Sequence, residues 1–143
     1  MSDSFFIDTN ILIYCFDTSA IEKMNTANKI VENALSTGLG TISYQVVQEF
    51  LNVALQKFAV PLTNEDAATY LHTILEPLCK IYPTIELYEK GCTVKQKTGY
   101  SFYDSLILAA ADQARTPILY SEDFQHDFTF DNVRVKNPFI TVA

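Results

Sequence analysis

Apolar residues along this chain fall into two registers. Short dense runs at Phe5–Ile7, Thr41 and Ile42, 80–82, Ile118–Tyr120 and 133–135 have the length of buried strands. Between them, apolar positions recur at the three-and-four spacing of helices. The clearest case is 43–58, where Val46, Val47, Phe50, Leu51, Ala54, Leu55 and Phe58 share a face and Pro61 marks the exit. The same spacing predicts helices over 20–35, stopped by Gly38, and over 84–97, closed by Gly99. A further helix over 64–78 opens with the capping-type T-N-E-D, and Pro77 should end it early. Another lies in "SFYDSLILAAADQA", with Ser101 as N-cap. Strands alternating with helices imply right-handed βαβ crossovers and a mainly parallel sheet covered on both faces, the α/β class. No repeat or linker interrupts the pattern, so residues 1–143 read as one domain.

Composition narrows the functions. A hydrophobic share of 48% supplies an ample core. No apolar stretch is long enough to cross a bilayer, and Met1 to Asp8 lacks the form of a signal peptide, so a soluble, cytoplasmic protein with no membrane partner is expected. Cys15, Cys79 and Cys92 are odd in number and without a C-x-x-C pair, which suggests neither a disulfide framework nor a thiolate zinc site. A net charge of −7 argues against a broad basic face that grips nucleic acid. It does not exclude a carboxylate cluster whose local sign changes on binding a divalent ion, and it suits a basic protein partner.

The acids carry the chemistry. In open α/β sheets, ligands bind beyond the carboxyl ends of the strands. Asp8 follows the run F-F-I and Asp123 follows I-L-Y-S, which puts both at that edge. Asp104 shares a helical face with Ile107, Leu108 and Ala111 near a helix start. Each has a plainer reading: Asp8 as the N-cap of a helix beginning near Asn10, Asp104 as the acid of a capping box, Asp123 as a turn former. Together at one edge they would repel and hold protons more tightly unless a cation compensates. With no suitably placed His or Cys, a hard ion ligated by oxygen, Mg²⁺ or Mn²⁺, is favoured. Pattern alone makes Glu49 a solvated acid, opposite its helix's apolar stripe.

An apolar strand ending in D-T-N, a helical Glu some forty residues on, "YDSLILAAA" and "ILYSEDF", in that order, resemble the PIN domain, and the small form resembles the toxins of VapBC-type toxin–antitoxin pairs. The resemblance implies a three-layer α/β/α fold and a metal-dependent endoribonuclease. It places catalytic acids at Asp8, Glu49, Asp104 and Asp123, with Asp8, Asp104 and Asp123 on the metal, Asn10 and Ser121 in support, and Glu122 unassigned. It also implies an RNA substrate, a cognate antitoxin and Mg²⁺ or Mn²⁺ as cofactor. The aromatic-rich composition fits a homodimer. Lys95 and Lys97, with Lys90 and Arg115, are the charges available to steer RNA, or else they belong to a solvated helix face. The alternative to an enzyme is a catalytically silent PIN-like module that binds a protein. A phosphatase of the D-x-D type is disfavoured by Asn10, and a nucleotide-cradling loop by the scarcity of glycine.

Overall fold

In a computed structural model that describes residues 3–140, the dense apolar runs become strands of one sheet. They are β1 (Phe5–Ile7), β2 (Gly40–Ser43), β3 (Cys79–Ile81), β4 (Ile118–Tyr120), β5 (Thr129–Phe130) and β6 (Val133–Lys136). The order across the sheet is β3-β2-β1-β4-β6-β5, with every pairing parallel except β5 with β6. β1 pairs with β4 in the register Phe5–Ile118 to Ile7–Tyr120, so the two central strands end level. Whatever follows Ile7 and Tyr120 therefore emerges at one edge.

The helices are α1 (Thr9–Tyr14), α2 (Ile21–Thr37), α3 (Tyr44–Gln56), α4 (Asn64–Tyr70), α5 (Glu76–Leu78), α6 (Ile85–Thr98) and α7 (Phe102–Gln113). They cover both sheet faces in the three-layer α/β/α arrangement expected from the sequence. Phe6, Ile7, Leu12, Ile42, Val46, Phe50, Leu108 and Leu119 lie in one continuous hydrophobic cluster. In α7, seven consecutive residues from Ser105 to Ala111 are buried, which explains why its sequence is apolar on nearly every side. No described helix is long and apolar enough to cross a membrane.

Gly38 ends α2 in the left-handed conformation, at φ 72°, as a C-cap glycine does. At Gly40 the need is space: a Cβ there would come within 2.2 Å of the Ala34 Cβ. α2 therefore lies directly on β2.

One expectation fails, and one element is new. Pro77 does not end its helix early; the chain passes from α4 through a π-helical turn at Leu71–Leu75 into α5, with Pro77 in the first turn of α5. In that turn the Glu76 N–H bonds back to the Leu71 carbonyl, five residues earlier. The widened turn changes the hydrogen-bond ladder just where a proline would otherwise break it. The strand β5 was not foreseen, since two residues carry no periodicity. It pairs Phe130 with Val133 across a tight turn in which Asp131 adopts φ 49°, a conformation that Asp tolerates better than most residues.

Candidate active site

Asp8 continues β1 by one residue, its N–H bonding to the Tyr120 carbonyl at 3.0 Å. The chain then turns into α1, and the carboxylate caps that helix: Oδ1 accepts from the Thr9 N–H at 2.7 Å. Oδ2 accepts from the Ser121 hydroxyl at 2.7 Å and from Asn10 Nδ2 at 3.5 Å. Asp8 is 3% exposed and Ser121 fully buried. The capping reading of Asp8 thus holds, and it leaves the carboxylate buried without a cation.

Asn10 and Ser121 tie the two strand ends together. Asn10 Nδ2 also donates to Ser121 Oγ at 3.3 Å, and its Oδ1 accepts from the Glu122 N–H at 3.2 Å. Ser121 Oγ in turn accepts from the Asp123 N–H at 3.1 Å, which sets the turn after β4. Ser101 Oγ accepts from the Asp104 N–H at 3.2 Å, so α7 starts with a side-chain cap that fixes where Asp104 stands.

Asp8, Glu49, Asp104 and Asp123 line one cavity of about 210 Å³, with Thr9, Asn10 and Gln45 as polar neighbours. Glu49 is a correction to the pattern reading. It is half-buried, not solvated, and accepts from the Thr9 hydroxyl at 2.7 Å. The helical wheel of α3 could not register α1 lying along its flank. Thr9 itself was missed, its only signal being its place between Asp8 and Asn10. Gln45, one helical turn before Glu49, was missed as well.

The electrostatics are those of uncompensated negative charge. Burial, reinforced by the charges of Asp123 and Glu49, pushes the Asp8 carboxyl up to about 7, against the opposing bonds from Ser121 and Thr9. Burial and Asp123 also raise Asp104 above the usual carboxylate range, with Ser101 opposing. The donor set is entirely oxygen, which fits a hard divalent ion rather than zinc. Yet among the described residues no three His, Cys, Asp or Glu side chains stand grouped as direct ligands of one ion. Asp8, Asp104 and Asp123, expected to hold an ion directly or through water, line the same cavity. Both oxygens of Asp8 are engaged by protein donors.

The remaining charges sort differently from their sequence order. Glu122 places both oxygens on other partners, Tyr14 Oη at 2.7 Å and Lys23 Nζ at 2.8 Å. Lys90 pairs with Asp112 in the last turn of α7, and Arg115 lines the same distant cavity, about 12 Å along the helix from Asp104 at 1.5 Å per residue. Neither neighbours the acids, because α6 and α7 form an antiparallel hairpin. Lys95 and Lys97 are exposed in the last turn of α6, at the end of the hairpin where α7 begins.

Among curated proteins, none matches the chain in sequence. A toxin–antitoxin complex from Klebsiella pneumoniae is similar in structure, with a TM-score of 0.69 at 20% identity over 95% of this chain and 98% of that one. VapC20 of Mycobacterium tuberculosis, described as a sarcin–ricin loop cleaving toxin, gives 0.62 at 19% identity over 92% and 99%. FitAcB from Neisseria gonorrhoeae gives 0.60 at 16% over 94% and 98%. At these identities the likeness shows a shared fold. The PIN domain profile, however, matches residues 5–133, from the first residue of β1 to the first of β6. By that match the chain belongs to the PIN domain family.

Proposed function

We propose that this protein is a metal-dependent endoribonuclease, the toxin of a toxin–antitoxin pair, which hydrolyses RNA phosphodiesters in the cytoplasm. One observation carries the reading: four carboxylates from four separate segments line a single hollow at the carboxyl edge of a parallel sheet, with no Lys or Arg among the described residues that line it. Membership of the PIN family and a fold shared with toxin–antitoxin proteins support it.

Asp8, Asp104 and Asp123 would hold Mg²⁺ or Mn²⁺, directly or through waters that Mg²⁺ commonly retains. When bound, such an ion supplies a more acidic water and positive charge beside the phosphoryl oxygens. Thr9 fixes one oxygen of Glu49, which leaves the other to orient the attacking water and take its proton. Ser121 and Asn10 hold Asp8 in place, and no side-chain nucleophile is needed. A chain of net charge −7 repels RNA by itself, and neutralising the acids of the hollow would lessen that repulsion. The same acidity would attract a basic antitoxin segment.

A second reading, a silent module that binds a protein, draws on the lack of a preformed ligand group among the described residues. Cleavage separates the two. Purified protein should cut single-stranded RNA with Mg²⁺ or Mn²⁺, leave 5′-phosphates, and stop in EDTA. Asp8→Asn should be folded and inactive. RNA left intact by the parent protein under all these conditions would favour the silent module.

A further inference from the structure

Beside the acid cavity lies a second hollow of about 440 Å³, within the range that small ligands occupy. Its rim is set with tyrosines: Tyr44, Tyr82, Tyr88 and Tyr103 are all exposed, and the rings of Tyr44 and Tyr82 stand 6.3 Å apart. Leu87 and Leu106 contribute apolar surface to its lining. Two of its polar groups are unspent. Ser43 holds the N-cap position of α3, where a serine normally bonds the first turn, yet among the described residues its hydroxyl finds no partner, although the residue is 2% exposed. Gln45 gives its Nε2 to the Tyr103 carbonyl at 3.2 Å, which fixes the amide's orientation and leaves Oε1 buried without a partner.

Buried polar atoms left unpaired are costly and uncommon, so two lining one hollow call for a ligand with hydrogen-bonding edges. Tyrosine rings beside them call for a flat one. The hollow also adjoins the acids: Gln45 lines both cavities, and Tyr103 precedes Asp104. An acidic chain cannot hold RNA chiefly through phosphate contacts, so stacking and base-edge bonds must supply much of its affinity.

We propose that this hollow receives one unpaired nucleobase of the RNA next to the cleaved phosphate, stacked on the tyrosine rim and bonded at its edge by Ser43 Oγ and Gln45 Oε1. The site rests on the nuclease reading for its substrate class. A single-stranded, locally unstacked RNA is then required, since a base held in a duplex cannot enter.

The test is binding of a short single-stranded RNA, followed by protein tyrosine fluorescence in the Asp104→Asn background so that the RNA stays whole; the chain has eight tyrosines and no tryptophan. Tyr82→Ala and Ser43→Ala should each weaken binding about tenfold. An RNA lacking one base should bind the parent equally weakly and lose nothing further in the variants. Ser43→Ala removes a hydroxyl with no partner, so its thermal midpoint should stay level or rise, which separates lost binding from lost folding. Unchanged affinity in both variants would overturn the site. So would a Tyr82→Ala protein that changes from dimer to monomer in sedimentation while binding RNA as before, since a second copy would then own the face. Cleavage is scored separately. A protein that binds through the hollow but never cuts sinks the nuclease reading alone, and one that cuts with unchanged KM in both variants sinks the base site alone.

Discussion

Glu122 and Asp123 are neighbours in the chain and enter different electrostatic surroundings. Burial disfavours the Glu122 charge, but the Lys23 ammonium and the Tyr14 hydroxyl outweigh it and hold the carboxyl below the usual range. Asp123 faces the other way, into the hollow with Asp8, Glu49 and Asp104, and its charge helps to raise the first and last of these. The difference lies in what balances the charge. On the α1–α2 side a lysine is built in; among the described residues that line the hollow, none is a Lys or Arg. Glu122 is compensated from within, whereas on the proposed reading the acids of the hollow would take their cation from solution.

Removing one acid of the hollow should affect cleavage more than any other change. Asp104→Asn should lower the rate of metal-dependent RNA cleavage by at least ~100-fold, measured on a labelled RNA, while circular dichroism matches the parent. The next is a pH effect. Folded Asp8 titrates near 7 against 3.8 for the free side chain, so between those values the folded state binds more protons than the unfolded one. Its contribution is fully present below the lower value and is lost as pH rises through the window, roughly 4 kcal/mol by the upper end. Urea unfolding in EDTA at both ends of the window should show this loss for the parent, with a flatter profile for Asp8→Asn. Excess Mg²⁺ should restore stability mainly at the upper end.

Smaller effects sharpen the contrast. Ser121→Ala removes a donor from a buried carboxylate and should cost about 1–3 kcal/mol in urea unfolding, with a drop in cleavage as Asp8 loses its tether. Glu122→Gln should cost about 1 kcal/mol, because its pair is partly solvated, and should leave cleavage at the parental rate. If Glu122→Gln proved as inactive as Asp104→Asn, the division between compensated and waiting acids would be wrong.

Much of the fold was legible because strand runs and helical spacing are local signals, and Gly38 and Gly99 punctuate them. Asp8 and Asp123 stood out through the rule of the sheet edge, and the level ends of β1 and β4 are why that rule works here. Glu49 was invisible to periodicity because its neighbour is Thr9, forty residues earlier, on another helix. Glu122 could not be placed for the same reason, since Lys23 lies 99 residues away. Lys90 and Arg115 show the converse. They stand close to Asp104 in the chain, but an antiparallel helix pair carries them to its far end. Where a residue's role depends on contacts between elements, spacing along one element does not reveal it.

Calorimetric titration of the metal-free protein with Mn²⁺ decides whether a divalent cation completes this hollow. Saturable binding in the millimolar range or tighter, abolished by Asp8→Asn and retained by Glu122→Gln, is the predicted result. No binding in that range, or equal binding by all three proteins, would contradict it.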